Sequence, residues 1–362
     1  MKPYGDIKRV FPGGNTAKGF YSFYKYIITE DAKRIFIIKG GPGVGKSSFM
    51  KNIAAEMIKR GFPIEMHHCS SDNNSIDGIV IIPLNIALID GTAPHILDPA
   101  NPGCVDEIIH FGDYWDEKRI TMHKKAIIAC NKEIGRLFTQ AYRMLHAASI
   151  IKKAIVSMYR EATEIGLYNQ ITAELMRELF DGMEIARTPG QMRHLFASAI
   201  TPDGTLNYLD TVLGRVKKLY LINGHPGVGK SFLISKLAYA ALEYGFNVEA
   251  YHCSLDPKRI EHLLIPGLSV GITTPTKPQI LDLAGAEIID LNEGLNCNLL
   301  QKYITPIRTQ EELFMNLLNN SISFIKQAKD THDEMESYYI PNMNFTAIEE
   351  LKEKILERIL SY

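Results

Sequence analysis

Two eight-residue segments carry the residue types that hold phosphate. Gly40-Gly41-Pro42-Gly43-Val44-Gly45-Lys46-Ser47 and Gly224-His225-Pro226-Gly227-Val228-Gly229-Lys230-Ser231 both read G-x-x-x-x-G-K-[ST]. In this spacing the glycines let successive backbone N–H groups turn onto an anion. The lysine meets the terminal phosphates and the serine hydroxyl ligates magnesium. A helix beginning at Lys-Ser adds the positive end of its dipole. The spacing predicts two nucleoside triphosphate sites. The first uses Gly41, Pro42, Gly43, Val44, Gly45, Lys46, Ser47 and Ser48. The second uses His225, Pro226, Gly227, Val228, Gly229, Lys230, Ser231 and Phe232, with Ser47 and Ser231 as magnesium ligands.

Other candidates surround these loops. Ile86-Ala87-Leu88-Ile89 ends in Asp90, an apolar strand closed by a carboxylate that would orient the metal. The alternative is an Asp that only opens the Asp90-Gly91-Thr92 turn. The corresponding residue of the second copy is Thr274, with Asp290 or Asp256 as a substitute acid. His68-Cys69-Ser70 and His252-Cys253-Ser254 follow a second strand, at the sheet edge where ligands gather. There His68 could bond a phosphate and Asp72 could act as base. Otherwise His and Ser cap a turn while Cys packs as a small hydrophobe. Lys46, Asp90, Asp72 and His68 are the catalytic candidates. Thr92 to His95 could line the same site, and Pro94 and Pro278 shape turns.

The elements that must position these residues are legible. Apolar runs at 35–38 and 219–222 lead into the loops, as strands buried on both faces do. Phe49, Ile53 and Met57 follow the first loop, and Leu233, Leu237 and Ala241 the second, each an apolar helical stripe. Gly61 and Gly245 stop those helices. An offset of 184 that joins Lys46 to Lys230 also joins His68-Cys69-Ser70 to His252-Cys253-Ser254 and Ile96-Leu97-Asp98 to Ile280-Leu281-Asp282. The repeat is a whole domain, with its boundary near Pro189-Gly190. The domains expected are 1–190, with a core at about 9–116 and a helical arm at about 117–188, and 191–362, with a core at about 193–295 and an arm at about 296–362. A chain of 362 residues suits two such units.

In the first arm Ile134, Phe138, Ala141, Leu145, Ala148, Ile151, Ile155, Met158 and Ala162 recur by threes and fours, predicting a long helix or a helical hairpin. Residues 118–160 hold ten Lys and Arg against one acid, net +9, whereas 311–357 hold ten acids against four Lys, net −6. Opposite blocks predict arms that face each other, within the chain or across a dimer. The other reading is a basic arm for nucleic acid. The formal charge of −1 gives that reading no support. Five cysteines form no disulfide framework or zinc spacing. With 46% hydrophobic residues and no long apolar run, the expectation is a reduced, cytoplasmic globular protein.

At these motifs the chain resembles the P-loop NTPase superfamily, and more closely a family of tandem, duplicated P-loop ATP-binding proteins. The resemblance covers both cores, roughly 200 residues. It implies an α/β fold of two P-loop cores with parallel sheets, each followed by a mostly helical arm. It implies ATP and magnesium as ligands, with Lys46 and Lys230 on the phosphates. ATP is favoured over GTP because no N-K-x-D motif is present. The segment Phe11 to Thr16, matched by Phe196 to Thr201, would lie near the base by analogy. Three functions follow: an ATPase whose nucleotide state moves the arms, hydrolytic mainly at the first site; a small-molecule or nucleotide kinase; or an ATP-dependent nucleic-acid switch.

Overall fold

The computed structural model describes residues 4–93, 96–275 and 285–362. Pro94, His95, Pro278 and the 280–282 match lie outside the described residues. The first half runs β1 (Ile7–Val10), β2 (Gly13–Thr16), β3 (Gly19–Ser22), β4 (Arg34–Lys39), α1 (Lys46–Lys59), β5 (Ile64–His68), β6 (Ile76–Ile81), β7 (Ile86–Asp90) and β8 (Asp106–His110). Helices α2 (Glu117–Met122), α3 (Lys124–Glu161) and α4 (Ile165–Phe180) follow. The second half repeats the plan with β9 (Met192–Leu195), β10 (Ser198–Thr201), β11 (Gly204–Asn207), α5 (Leu209–Leu213), β12 (Lys218–Asn223), α6 (Lys230–Glu243), β13 (Val248–His252), β14 (Ile260–Ile265), β15 (Val270–Thr273) and β16 (Glu287–Asp290). It ends in α7 (Cys297–Gln301), α8 (Ile304–Glu336) and α9 (Phe345–Ser361).

The fold is α/β, with two six-stranded sheets ordered β1-β5-β6-β7-β4-β8 and β9-β13-β14-β15-β12-β16. The expectation of parallel sheets needs correction. β6 and β14 run antiparallel to both neighbours, so each sheet is mixed. The links around them are too short for a parallel crossover. Asn85 and Ser269, at φ 54° and 53°, turn the chain back into β7 and β15. A buried apolar run reads alike in either direction, so the sequence pattern could not reveal the reversal.

Each loop helix buries its predicted stripe. Phe49, Met50, Ile53, Ala54 and Met57 of α1 are buried, as are Leu233, Ile234, Leu237, Ala238 and Ala241 of α6. Gly61, at φ 88°, ends α1, and the Phe62 amide donates back to the Met57 carbonyl. A left-handed residue after the last turn requires glycine there.

The long apolar stripe of the first arm lies on one continuous helix, α3, of 38 residues, and the main helix of the second, α8, has 33. They pack antiparallel. Ile127 and Cys130 meet Met335 at one end, Ala141 and Leu145 meet Ile325 at the middle, and Ile155 and Tyr159 meet Ile307 at the other end. The Ser321 hydroxyl donates to the Ala141 carbonyl at 3.1 Å inside the seam. The arms do face each other, but through apolar side chains. Their ion pairs run within a helix, as Arg136–Glu133 and Lys329–Asp333 do, or to a core, as Lys329–Asp72 does.

Packing divides the chain differently from the repeat. Ile348, Ile355, Leu356 and Ile359 of α9 complete the core of the first half. Tyr168, Leu175, Leu179 and Phe180 of α4 complete the core of the second. Paired backbones fix both crossovers. Asp116 donates to Asn342 and Asn344 to Tyr114, while Glu164 donates to Gly294 and Asn296 to Ala162. The two cores meet where Phe11 and Phe196 exchange backbone hydrogen bonds of 2.8 and 3.0 Å. The buried Asn15 side chain donates to the Ser70 and Ile200 carbonyls and accepts from the Tyr142 hydroxyl. The segment from Phe11 to Thr16 therefore builds this seam between the halves. Among the described residues no helix is long and apolar enough to cross a membrane.

Candidate functional site

Both glycine-rich loops stand between the end of a central strand and the start of a helix. β4 leads through Gly40 to Gly45 into α1, and β12 through Gly224 to Gly229 into α6. Gly45 and Gly229 are the residues just before the helices, at φ 91° and 106°, a conformation that glycine takes without strain. The loop backbones are closely packed against their neighbours. A Cβ on Gly227 would come within 2.4 Å of the Val156 carbonyl oxygen, and one on Gly40 within 2.9 Å of Val44.

At the first loop the Lys46 ammonium donates to the Gly41 carbonyl at 2.7 Å and the Gly40 carbonyl at 3.2 Å. Asp90 Oδ2 lies 3.5 Å from the same ammonium. β7 neighbours β4 directly and in parallel, with Asp90 opposite Ile38. This brings the acid to the loop's side of the sheet. The other oxygen, Oδ1, accepts from the Thr92 amide at 2.9 Å, so Asp90 holds its turn as well as facing Lys46. The Ser47 hydroxyl accepts the Ile76 amide at 3.0 Å. A hydroxyl and a carboxylate beside an amide cradle are hard oxygen donors, which fit magnesium.

The second loop differs. Lys230 Nζ donates to the Gly224 and His225 carbonyls, the latter at 2.8 Å. β15 pairs with β12 in the register of β7 with β4, which puts Thr274 in the place of Asp90. The Ser231 hydroxyl accepts from the Arg259 guanidinium, at 3.1 Å from Nη2 and 3.3 Å from Nε. Burial, and then the charge of Arg259, push the Lys230 ammonium down to about 8. Both suggested substitute acids hold turns. Asp290 caps a turn through the Asn292 amide, and Asp256 accepts from the Lys258 amide. With a guanidinium on the Ser231 hydroxyl, a neutral threonine at the Asp90 position and Glu261 nearby to offset part of the charge, this set fits a magnesium ion poorly.

Each loop is closed by the other half's arm. Glu336, at the end of α8, accepts the Gly43 amide at 3.0 Å. A Cβ on Gly41 would meet the Tyr339 ring, and one on Gly45 the Phe345 ring. Over the second loop, Tyr159 of α3 stacks on the His225 ring with centroids 4.6 Å apart and an 8° tilt. Tyr168 of α4 covers Gly229, and Asn292 Oδ1 accepts the His225 amide at 2.8 Å. Val44 and Val228 are buried beneath their loops. Ser48 lies in the first turn of α1, whereas Phe232 is 59% exposed beside Lys236. Pro42 and Pro226 sit within the turns of the loops.

The two remaining catalytic candidates make contacts beyond the first loop. His68 belongs to the seam between the halves, its ring 4.5 Å from that of Tyr208 and 6.1 Å from that of Phe11. Burial, aided by Arg9, lowers its imidazole to about 3, so it is neutral at physiological pH. Its counterpart His252 contacts Phe23 and accepts or donates with His194 at 2.8 Å. Asp72 accepts the Asn74 amide and pairs with Lys329 of α8 at 3.5 Å. Glu336, Asn292, Tyr159 and Arg259 were not singled out from sequence. Of these only Arg259 had a signal: at the offset of 184 it replaces Ser75.

Scans against protein-family models, curated proteins and solved structures return no match to this chain.

Proposed function

We propose that this protein is a tandem P-loop ATPase that binds ATP at both loops and hydrolyses it, with magnesium, mainly at the first. The observation that carries the reading is the Lys46–Asp90 pair at 3.5 Å beside an amide cradle at the head of α1. Lys46 is held by two backbone carbonyls and by Asp90, and turning it onto phosphate oxygens would free the Asp90 carboxylate to help hold a metal. Backbone amides at a helix start supply the fixed dipoles that stabilise charge moving onto those oxygens. Magnesium, when bound, would neutralise charge on the phosphates, with Ser47 and Asp90 as the residues to hold it. The Glu336 contact supports a further part of the reading, that nucleotide binding at the first loop moves the end of α8.

The test is calorimetric titration with a slowly hydrolysed ATP analogue, together with single-turnover hydrolysis. Two sites are expected, one lost in Lys46→Ala and the other in Lys230→Ala. Hydrolysis should disappear with Lys46→Ala and largely survive Lys230→Ala. One site in the wild type, or equal residual rates in the two variants, would overturn the reading.

A further inference from the structure

The two loops share their backbone but not their cation. In the first half Cys69 donates to the Ser75 carbonyl at 3.1 Å, and Ser75 to the Asp72 carbonyl at 3.0 Å. In the second half Cys253 donates to Arg259 at 2.9 Å, and Arg259 to Asp256 at 3.0 Å. Ser75 and Arg259 therefore occupy the same place in the same turn, and only the side chain changes. At the first loop Ser47 Oγ meets the neutral Ile76 amide. At the second, Ser231 Oγ meets a guanidinium.

We propose that the second loop is a metal-independent polyphosphate site, in which Arg259 supplies the positive charge that magnesium supplies at the first. The proposal rests on the nucleotide reading given above. Guanidinium is charged at every accessible pH and only donates hydrogen bonds. Held on the serine hydroxyl, it occupies a lone pair that a metal would use, and it repels a dication. The same charge favours phosphate oxygens, which take guanidinium N–H groups well. The acid that would help seat a metal is absent, because Thr274 stands at the Asp90 position. A third cation comes from the arm: Lys152 of α3 feels the charge of Arg259 and is seated over the Phe314 ring. Glu261 and Glu311 offset part of this charge. Glu261 corresponds to Asp77 of the first half, so it does not account for the difference between the loops.

The experiment compares single-loop proteins. Lys46→Ala leaves the second loop and Lys230→Ala leaves the first. Each is titrated with a fluorescent ATP analogue in excess magnesium and again in excess EDTA. At the second loop the dissociation constant should change less than about threefold on removing magnesium, whereas at the first it should rise about tenfold or more. Arg259→Ser in the Lys46→Ala background, which installs the residue of the first half, should weaken binding in EDTA about tenfold and create a magnesium requirement. An equal loss at both loops in EDTA overturns the metal-independent site while leaving nucleotide binding intact. Arg259→Ser binding unchanged in EDTA overturns it too. No binding at either loop in either condition removes the nucleotide reading and this proposal together. The magnesium comparison uses native Arg259, so it decides even if Arg259→Ser fails to fold.

Discussion

The Glu336 carboxylate accepts the Gly43 amide at 3.0 Å, placing an acid from one half's arm on the glycine-rich loop of the other half. Under the nucleotide reading, that amide faces phosphate, and a carboxylate there both occupies the donor and repels the ligand. Glu336→Ala should therefore tighten ATP binding at the first loop about three- to tenfold, the worth of a hydrogen bond of roughly 1 kcal/mol plus some like-charge repulsion. Titration in the Lys230→Ala background reads this site alone. Unchanged or weaker binding would mean that Glu336 does not compete with the ligand.

The contrast between Asp90 and Thr274 predicts unequal chemistry. Asp90→Asn keeps the size of the side chain and an oxygen for the Thr92 amide, but removes the charge beside Lys46. Single-turnover hydrolysis should fall about a hundredfold or more while ATP affinity stays within a few-fold. Thr274→Ala should leave turnover nearly unchanged. A large effect from Thr274→Ala, or none from Asp90→Asn, would count against hydrolysis at the first loop.

Crossed helices predict damage far from the mutation in sequence. Ile359 is fully buried in the core of the first half, against the helix that follows the first loop. Ile359→Ala removes a buried branched side chain and should cost about 2–5 kcal/mol. Hydrogen exchange should then accelerate in α1 and β4 before it does so in α6 and β12. Acceleration confined to the second half would contradict the crossover.

A buried charge cluster joins the halves and predicts an acid limit to stability. Glu65 receives Arg193 at 2.9 Å and Lys8 at 3.1 Å, and both cations also reach Glu249. Burial alone would raise the Glu65 carboxyl, but Arg193 and Lys8 hold it well below its ordinary 4.5. A carboxyl lowered on folding stabilises fully above its unfolded value and loses that stabilisation as pH falls through the folded one. Stability should thus decline below about pH 4.5. Glu65→Gln should cost about 3 kcal/mol or more at neutral pH, by leaving buried cations short of an anion, and should flatten the acid limb. Denaturant melts across pH would show both effects. An unaltered acid limb would remove Glu65 as its source.

Local physics made much of this molecule legible in advance. An apolar run, a glycine turn and a four-residue apolar stripe are each set by neighbouring residues, so β4, α1, β12 and α6 were readable. The stops at Gly61 and Gly245 were readable for the same reason. So was the whole-domain repeat, and with it the exchange of Asp90 for Thr274, which needs only an offset. The parallel-sheet expectation failed at β6 and β14, because a doubly buried strand carries no mark of its direction. The sequence shows that His68 ends a strand, but not that its ring meets Tyr208 of the other half and Phe11 of another element.

By itself, the sequence determined two equivalent strand–loop–helix units and two long amphipathic arms. Tertiary structure alone decided which arm covers which loop, because an apolar stripe states that a helix has a partner but not which one. α3 and α8 found each other through Ala141, Leu145 and Ile325 rather than through their opposite charges. Their antiparallel packing carried Glu336 to Gly43 across 293 residues of chain and Tyr159 to His225 across the midline. Arg259 reached Ser231 over 28 residues because two strands of one sheet brought a turn beside a loop. Contacts of that kind depend on the closure of the whole core, and no window of sequence contains them.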